Sequence, residues 1–174
     1  MTNSASRIET APAMTPIESL RVALGDDCIR TGTDIGARHQ GDWLVKAGPD
    51  DVPLALALPR DTQDVSTVLR ICHAAGIPVV PQGGLTGLTG GAVPATVRSV
   101  ILSLSRFKDI IDVDAQARTI TVQSGVITLN AIQAAAAKGM LFTVDPASKA
   151  ASSIGGNVSE NAGGPFAFEY GTTL

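Results

Sequence analysis

The stretch Pro81-Gln-Gly-Gly-Leu-Thr-Gly-Leu-Thr-Gly-Gly91 follows a short apolar run, and Gly84, Gly87 and Gly90 recur at every third position. Successive glycines let neighbouring backbone N–H groups point into one concavity, which suits an anion such as phosphate. Thr86 and Thr89 add hydroxyl donors. The stretch has no lysine, so amide dipoles would meet the charge alone. Two familiar phosphate loops do not fit. Gly-Lys-Ser/Thr is missing. A GxGxxG turn would have to run into a helix, whereas here the spacing differs and Pro94 and a strand follow. A flexible surface loop is the bland alternative, but linkers favour Gly/Ser composition over regularly spaced glycines separated by Leu. The local chemistry therefore points to a diphosphate loop of another kind.

Working outward, Ile77–Pro81 reads as a strand leading into the loop, and Ser99–Leu104 as the strand leaving it. Leu54–Leu58 is an apolar run closed by Pro59, the pattern of a strand buried on both faces. Between Leu54–Leu58 and Ile77–Pro81, Asp61 or Thr62 starts a helix in which Val65, Val68, Leu69, Cys72 and His73 share one face. Gly76 closes it. Upstream, Pro16–Leu24 predicts a helix, with Pro at its start, Glu18 in its first turn and Gly25 at its end. Thr31–Pro49 has little periodicity. Downstream, Ile110–Val113 and Thr119–Gln123 flank Asp114–Arg118 as a β-hairpin. Thr128–Lys138 is an Ala-rich helix with Thr128 as N-cap and Gly139 as terminator. Leu141–Val144 reads as a further strand, and residues 145–174 show little helical period. Strand–helix–strand units with an inserted hairpin predict an α+β fold.

A second constellation lies at Asp145-Pro-Ala-Ser148, Ser152-Ser-Ile-Gly-Gly-Asn157 and Glu160-Asn-Ala-Gly-Gly164. Ser and Asn offer neutral donors and acceptors, and paired glycines allow close approach to a planar ring or a phosphate. The same residues also suit plain turns, since Asn and Gly tolerate positive φ. Local chemistry leaves both readings open.

Composition narrows the partners. With 174 residues and 44% hydrophobic content the chain can bury one real core. A net charge of −3 with no Lys/Arg cluster leaves nothing to neutralise a run of phosphates, and 3% aromatic content leaves no stacking platform; nucleic acid is not an expected partner. Cys28 and Cys72 lack a CxxC partner, and Cys72 sits in an apolar helical pattern, so a buried thiol is expected rather than a redox or zinc motif. No His/Cys/Asp cluster has metal-ligand spacing. The apolar run Val52–Leu58 is too short to span a bilayer. Residues 1–15 read as a polar, disordered leader. With no disulfide framework and no signal peptide, the expected location is cytoplasmic, either free or peripheral at the inner membrane face.

The two constellations occur in a specific order: the loop at 81–91, a hairpin, an Ala-rich helix, Asp145-Pro-Ala-Ser148, Ser153-Ile-Gly-Gly-Asn-Val-Ser-Glu-Asn-Ala-Gly-Gly164, then Tyr170-Gly171. From about Pro53 to Leu174 this order resembles the FAD-linked oxidases of the vanillyl-alcohol oxidase / p-cresol methylhydroxylase superfamily. Its look-alikes are the D-lactate dehydrogenases and the FAD subunit of glycolate oxidase. The resemblance implies a p-cresol methylhydroxylase (PCMH)-type FAD-binding domain over residues 53–174, a small mixed sheet with flanking helices plus the start of a second subdomain. A helix and irregular segment at 16–52 would precede it. The resemblance further implies that Pro81, Gln82, Gly83, Gly84, Leu85, Thr86, Gly87 and Leu88 wrap the FAD pyrophosphate. Pro146, Ser148, Ser152, Ser153, Gly155, Gly156, Asn157, Ser159, Asn161 and Gly163 would line the isoalloxazine and ribityl side. Flavin-linking relatives often carry His where this chain has Leu85, and Leu forms no flavin bond, so the FAD is expected to be non-covalent.

The implied activity is oxidation of a small 2-hydroxy acid, of D-lactate or glycolate type, by hydride transfer to flavin. The electron acceptor would be a partner subunit, a quinone or a cytochrome. Leu174 follows a glycine-rich stretch with no closing element. A truncated domain is therefore expected, with the catalytic residues beyond residue 174, and the alternative function is a non-catalytic flavin-binding fragment.

Other polar residues have plainer expectations. Asp112 and Asp114 flank a turn, and Glu160 suits a cap or turn. The pairs Asp26–Asp27 and Asp50–Asp51 read as solvated loop charges, and Trp43 as a local packing residue. His73 reads as a core or helix-end residue, and His39, beside Arg38 in the irregular stretch, has no assigned chemistry.

Overall fold

The computed structural model describes residues 14–42, 44, 48, 52–94 and 98–173. The expectations for residues 1–13, Trp43 and Asp50–Asp51 lie outside the described residues.

Helix α1 (Pro16–Leu24) starts on Thr15, whose side chain accepts from Glu18 N while Glu18 accepts from Thr15 N. This reciprocal bonding satisfies amide donors that a helix N-terminus leaves orphaned. The two-residue strand β1 (Ile29–Arg30) follows and pairs antiparallel with β2 (Ala55–Ala57). Helix α2 (Thr62–Ala74) is capped by Asp61, and Gly76 supplies the positive φ of 62° that ends it. Strand β3 (Val79–Gln82) leads into the glycine loop, and β4 (Val100–Ser103) pairs parallel with both β3 and β2. The sheet order is β1-β2-β4-β3, a small mixed sheet as expected.

Side-chain alternation divides the core. Ala55, Ala57, Val100 and Leu102 face α1 and α2, where they pack with Leu20, Leu24, Val68 and both free cysteines. Leu56 and Ile101 face the other way, onto Ile35. The N-terminal segment is thus built into the same sheet and core as β2 and α2. At the foot of α2, Asp64 accepts from the backbone N–H and the guanidinium of Arg60, which holds its carboxyl below the usual carboxylate range.

The hairpin is β5 (Ile110–Asp114) and β6 (Thr119–Val122), and Asp114 Oδ1 accepts from Gln116 N and Ala117 N across the turn. Helices α3 (Thr128–Ala136), α4 (Ile154–Ser159) and α5 (Ala167–Tyr170) complete the described α-helices.

Several expectations are corrected. Leu141–Val144 forms no strand. Residues 145–173 contain two short helices, because a six-residue helix is too short for its period to register. Thr128 is not the cap of α3; Ile127 holds that position and the Thr128 hydroxyl turns inward. Leu69 and His73 are exposed, and Ile71 packs against the core instead, so the buried face of α2 is narrower than the pattern implies. Residues 31–42 contain two 3-10 turns, Gly32–Ile35 and Ala37–Gln40. Asp26 and Asp27 are solvated as expected, with side chains 85% and 67% exposed, and they lie 3.0 and 3.8 Å from Arg21 and Arg106.

Candidate functional site

The glycine loop leaves the sheet at the carboxyl end of β3, beside the carboxyl end of β4. Open parallel sheets commonly bind ligands at that edge. Across from it run the turn at 146–152 and the start of α4. Between them is a cleft of about 360 Å3.

Of the residues expected to hold a cofactor, Pro81, Gln82, Gly83, Gly84, Leu85, Thr86 and Gly87 line this cleft from the loop side. Ser148, Ser152, Ser153, Gly155, Gly156, Asn157 and Ser159 line it from the other. Leu88 is exposed and borders a neighbouring hollow with Ala147 and Ser148. Pro146, Asn161 and Gly163 do not line the cleft.

The backbone of the loop is its chemical content. Among the described residues, no N–H of residues 83–89 donates to an acceptor in the protein. Backbone donors that are partly removed from water need partners, and a run of them along one wall is the concavity that receives an anion. Leu85 sits at φ 59°, a left-handed conformation that non-glycine residues adopt only under constraint.

The glycines divide by task. A Cβ on Gly83 would strike Ser153 Oγ, and one on Gly84 would strike the Ala151 carbonyl oxygen, so these two let the loop lie against the second constellation. A Cβ on Gly87 would meet nothing within 4 Å. No protein contact requires glycine there, and its bare Cα keeps the cleft wall clear.

The second constellation is largely engaged with the protein. Thr128 Oγ1 lies 2.8 Å from Ser152 Oγ and accepts from Asn157 Nδ2 at 2.8 Å, all within the interior. Ser153 Oγ accepts from Gly156 N at 3.3 Å, and Ser159 Oγ donates to Gly155 O at 2.9 Å. Gln82 is likewise engaged: 1% exposed, its side chain bonds Ala92 O and both the backbone and ring of His39. The cleft hydroxyls of Thr86, Ser124 and Ser148 make no hydrogen bond within the described protein. Glu160 Oε2 accepts from Thr89 Oγ1 at 3.0 Å and so ties the two walls together.

Sequence reasoning missed Asp42, Ser124 and the inward role of Thr128. Asp42 is 5% exposed, lines the cleft and accepts from Gly90 N at 2.9 Å. No local pattern marks it as a cleft residue, because the partner that ties it to the loop, Gly90, lies 48 residues away. Among the described residues no group of three or more His, Cys, Asp or Glu could hold a metal.

Residues 53–174 match the family model described as the FAD binding domain. The chain belongs to this family. Its cofactor is FAD, and the free amides of the loop fit the diphosphate of that molecule. Glycolate oxidase subunit GlcD of Escherichia coli strain K12 is 43% identical over 122 residues, covering 70% of this chain and 24% of that protein. D-2-hydroxyglutarate dehydrogenase of Xanthomonas citri pv. viticola is 43% identical over 136 residues, 78% of this chain and 28% of the relative. This chain therefore spans about a quarter of the length of these curated relatives. Among solved structures, alkyldihydroxyacetonephosphate synthase superposes with a TM-score of 0.80 at 19% identity, over 96% of this chain and 32% of that one. p-Cresol methylhydroxylase does so with 0.73 at 21%, over 84% and 29%. These likenesses establish a PCMH-type fold. No helix among the described residues is long and apolar enough to cross a membrane.

Proposed function

We propose that this chain supplies the flavin-holding part of an oxidoreductase acting on a small 2-hydroxy acid of glycolate or D-lactate type. The observation that carries it is a run of amides at 83–89 with no acceptor among the described residues, in a loop that lines a cleft, in a chain 43% identical to a glycolate oxidase subunit over 122 residues. Bound FAD supplies a two-electron acceptor for hydride from the substrate's α-carbon. The chain's own residues bind and orient it. Amides of 83–89 donate to the diphosphate, and Gly87 leaves room for it. Thr86, Ser124 and Ser148 present hydroxyls along the same cleft. Leu85 offers no atom for a covalent link, so binding is non-covalent. Pro146, Asn161 and Gly163 act on the shape of the second wall rather than through contact. A further partner would receive the electrons, in the cytoplasm or at the membrane's inner face.

The test is to mix the purified chain with FAD, desalt it and record the absorbance, then add D-lactate or glycolate. Flavin bands that survive desalting and disappear on denaturing filtration are expected, and their loss on desalting would defeat the proposal. Bleaching by either acid would place the acid-oxidising groups within these residues. Stable bands without bleaching would mark the chain as a flavin-binding part with no turnover of its own.

A further inference from the structure

Residues 36–42 lie outside the 53–174 stretch matched by the family, yet they grip both ends of the flavin loop. His39 Nδ1 is 2.7 Å from Gln82 Oε1, and Gln82 Nε2 donates to His39 O at 2.9 Å and to Ala92 O at 2.7 Å. Because both Nε2 protons point at carbonyls, Oε1 must accept, and the His39 ring carries its proton on Nδ1. One buried amide side chain thus joins the His39 segment, the loop's entrance at 82 and its exit at 92. Three residues after His39, Asp42 accepts from Gly90 N at 2.9 Å through Oδ2 and from Leu44 N at 2.8 Å through Oδ1. Between these anchors, the N–H groups of 83–89 donate to no acceptor among the described residues.

A loop that must aim its amides at an anion cannot bond them to itself. Its order has to come from its ends, and ordering before binding removes that cost from the binding step. We infer that His39 and Asp42 are positioning residues of the flavin site: the His39–Gln82–Ala92 clamp and the Asp42–Gly90 bond hold residues 83–89 open for a dinucleotide's diphosphate. The inference rests on the FAD reading of the cleft; His39 lies outside the cleft lining, and Asp42 stands on its wall with its carboxylate held by Gly90 N and Leu44 N.

The experiment compares His39→Leu, His39→Asn and Asp42→Asn in the 174-residue chain. Asn at position 39 returns an N–H near the place of Nδ1, whereas Leu leaves Gln82 Oε1 buried and unmatched. In the ligand-free protein, amide exchange is read at Gly90 and at Val93, whose N–H bonds Gly90 O. Affinities for FAD and for riboflavin, which lacks the diphosphate, are read by fluorescence quenching. His39→Leu should speed exchange at both amides and weaken FAD about tenfold, with riboflavin unchanged and His39→Asn close to wild type. Asp42→Asn should act in the same direction, and it decides the matter if His39→Leu does not fold. Unchanged exchange and FAD affinity in both variants would overturn the clamp, as would equal losses for FAD and riboflavin. If the wild-type chain takes up no FAD, the cleft reading and the ligand named here fall together, while exchange at Gly90 and Val93 still shows whether residues 39 and 42 order the loop.

Discussion

The two glycine-rich stretches look alike in composition and differ in where their polar groups go. At 81–91 the amides of residues 83–89 have no acceptor in the described protein, and most of these residues line the cleft. At 145–164 the first amides of α4 are all engaged: Ile154 N with Val126 O at 2.9 Å, Gly155 N with Ser124 O at 2.7 Å and Gly156 N with Ser153 Oγ at 3.3 Å. Ser152 and Asn157 are engaged with Thr128. The first stretch therefore leaves its amides open to an outside acceptor, as the diphosphate role proposed for it requires. The second is a buttress that gives the loop a wall to lie on. Glycine content alone does not separate these roles; the destination of each N–H does.

The sharpest way to break this comparison is at the seam between the stretches. A side chain at Gly84 would run into the Ala151 carbonyl oxygen and come within 2.9 Å of Ser152 Cα, both backbone atoms that cannot swing aside. Gly84→Val should cost about 3 kcal/mol or prevent folding, as overpacking against fixed atoms does. The check is the urea midpoint of unfolding. A midpoint within error of wild type would mean that the loop does not lie against the second wall.

Much of the first half could be read in the sequence because its signals are local. Asp61, Gly76 and the apolar runs at 54–58, 77–81 and 99–104 each announce an element through neighbours a few residues away. The order of the motifs announced the family and, with it, the FAD cofactor. What could not be read depends on distant partners. Asp42 binds Gly90 across 48 residues, and His39 binds Gln82 across 43. Thr128 looks like a cap by position, yet its hydroxyl meets Ser152 and Asn157, 24 and 29 residues away. Leu141–Val144 has the composition of a strand, but strand identity needs a partner ladder, and the fold provides none there.

The buttress can be probed without touching the cleft wall. Thr128→Val keeps the shape and removes the hydroxyl that joins Ser152 to Asn157. It leaves Asn157 Nδ2 without its acceptor in the interior, and an unmatched buried donor costs about 1–3 kcal/mol. Unfolding should therefore shift to lower urea by an amount within that range, smaller than for Gly84→Val. FAD affinity measured well below the transition should stay within about threefold, because the loop amides are untouched. A large loss of affinity with little loss of stability would move the second stretch from buttress to ligand contact.

The smallest change tests the loop alone. At Gly87 a Cβ meets nothing within 4 Å of the protein, so Gly87→Ala should leave stability within about 0.5 kcal/mol of wild type or raise it slightly by restricting the unfolded chain. The methyl group would instead stand on the cleft wall, where the diphosphate has to approach the amides. FAD should bind about tenfold more weakly, equivalent to roughly 1.4 kcal/mol, while riboflavin should bind as before. Gly84→Val and Gly87→Ala then separate cleanly, one read in unfolding and the other in binding. If Gly87→Ala changed neither, the diphosphate would have to lie elsewhere along residues 83–89, because the added methyl would then stand clear of the amides that hold it.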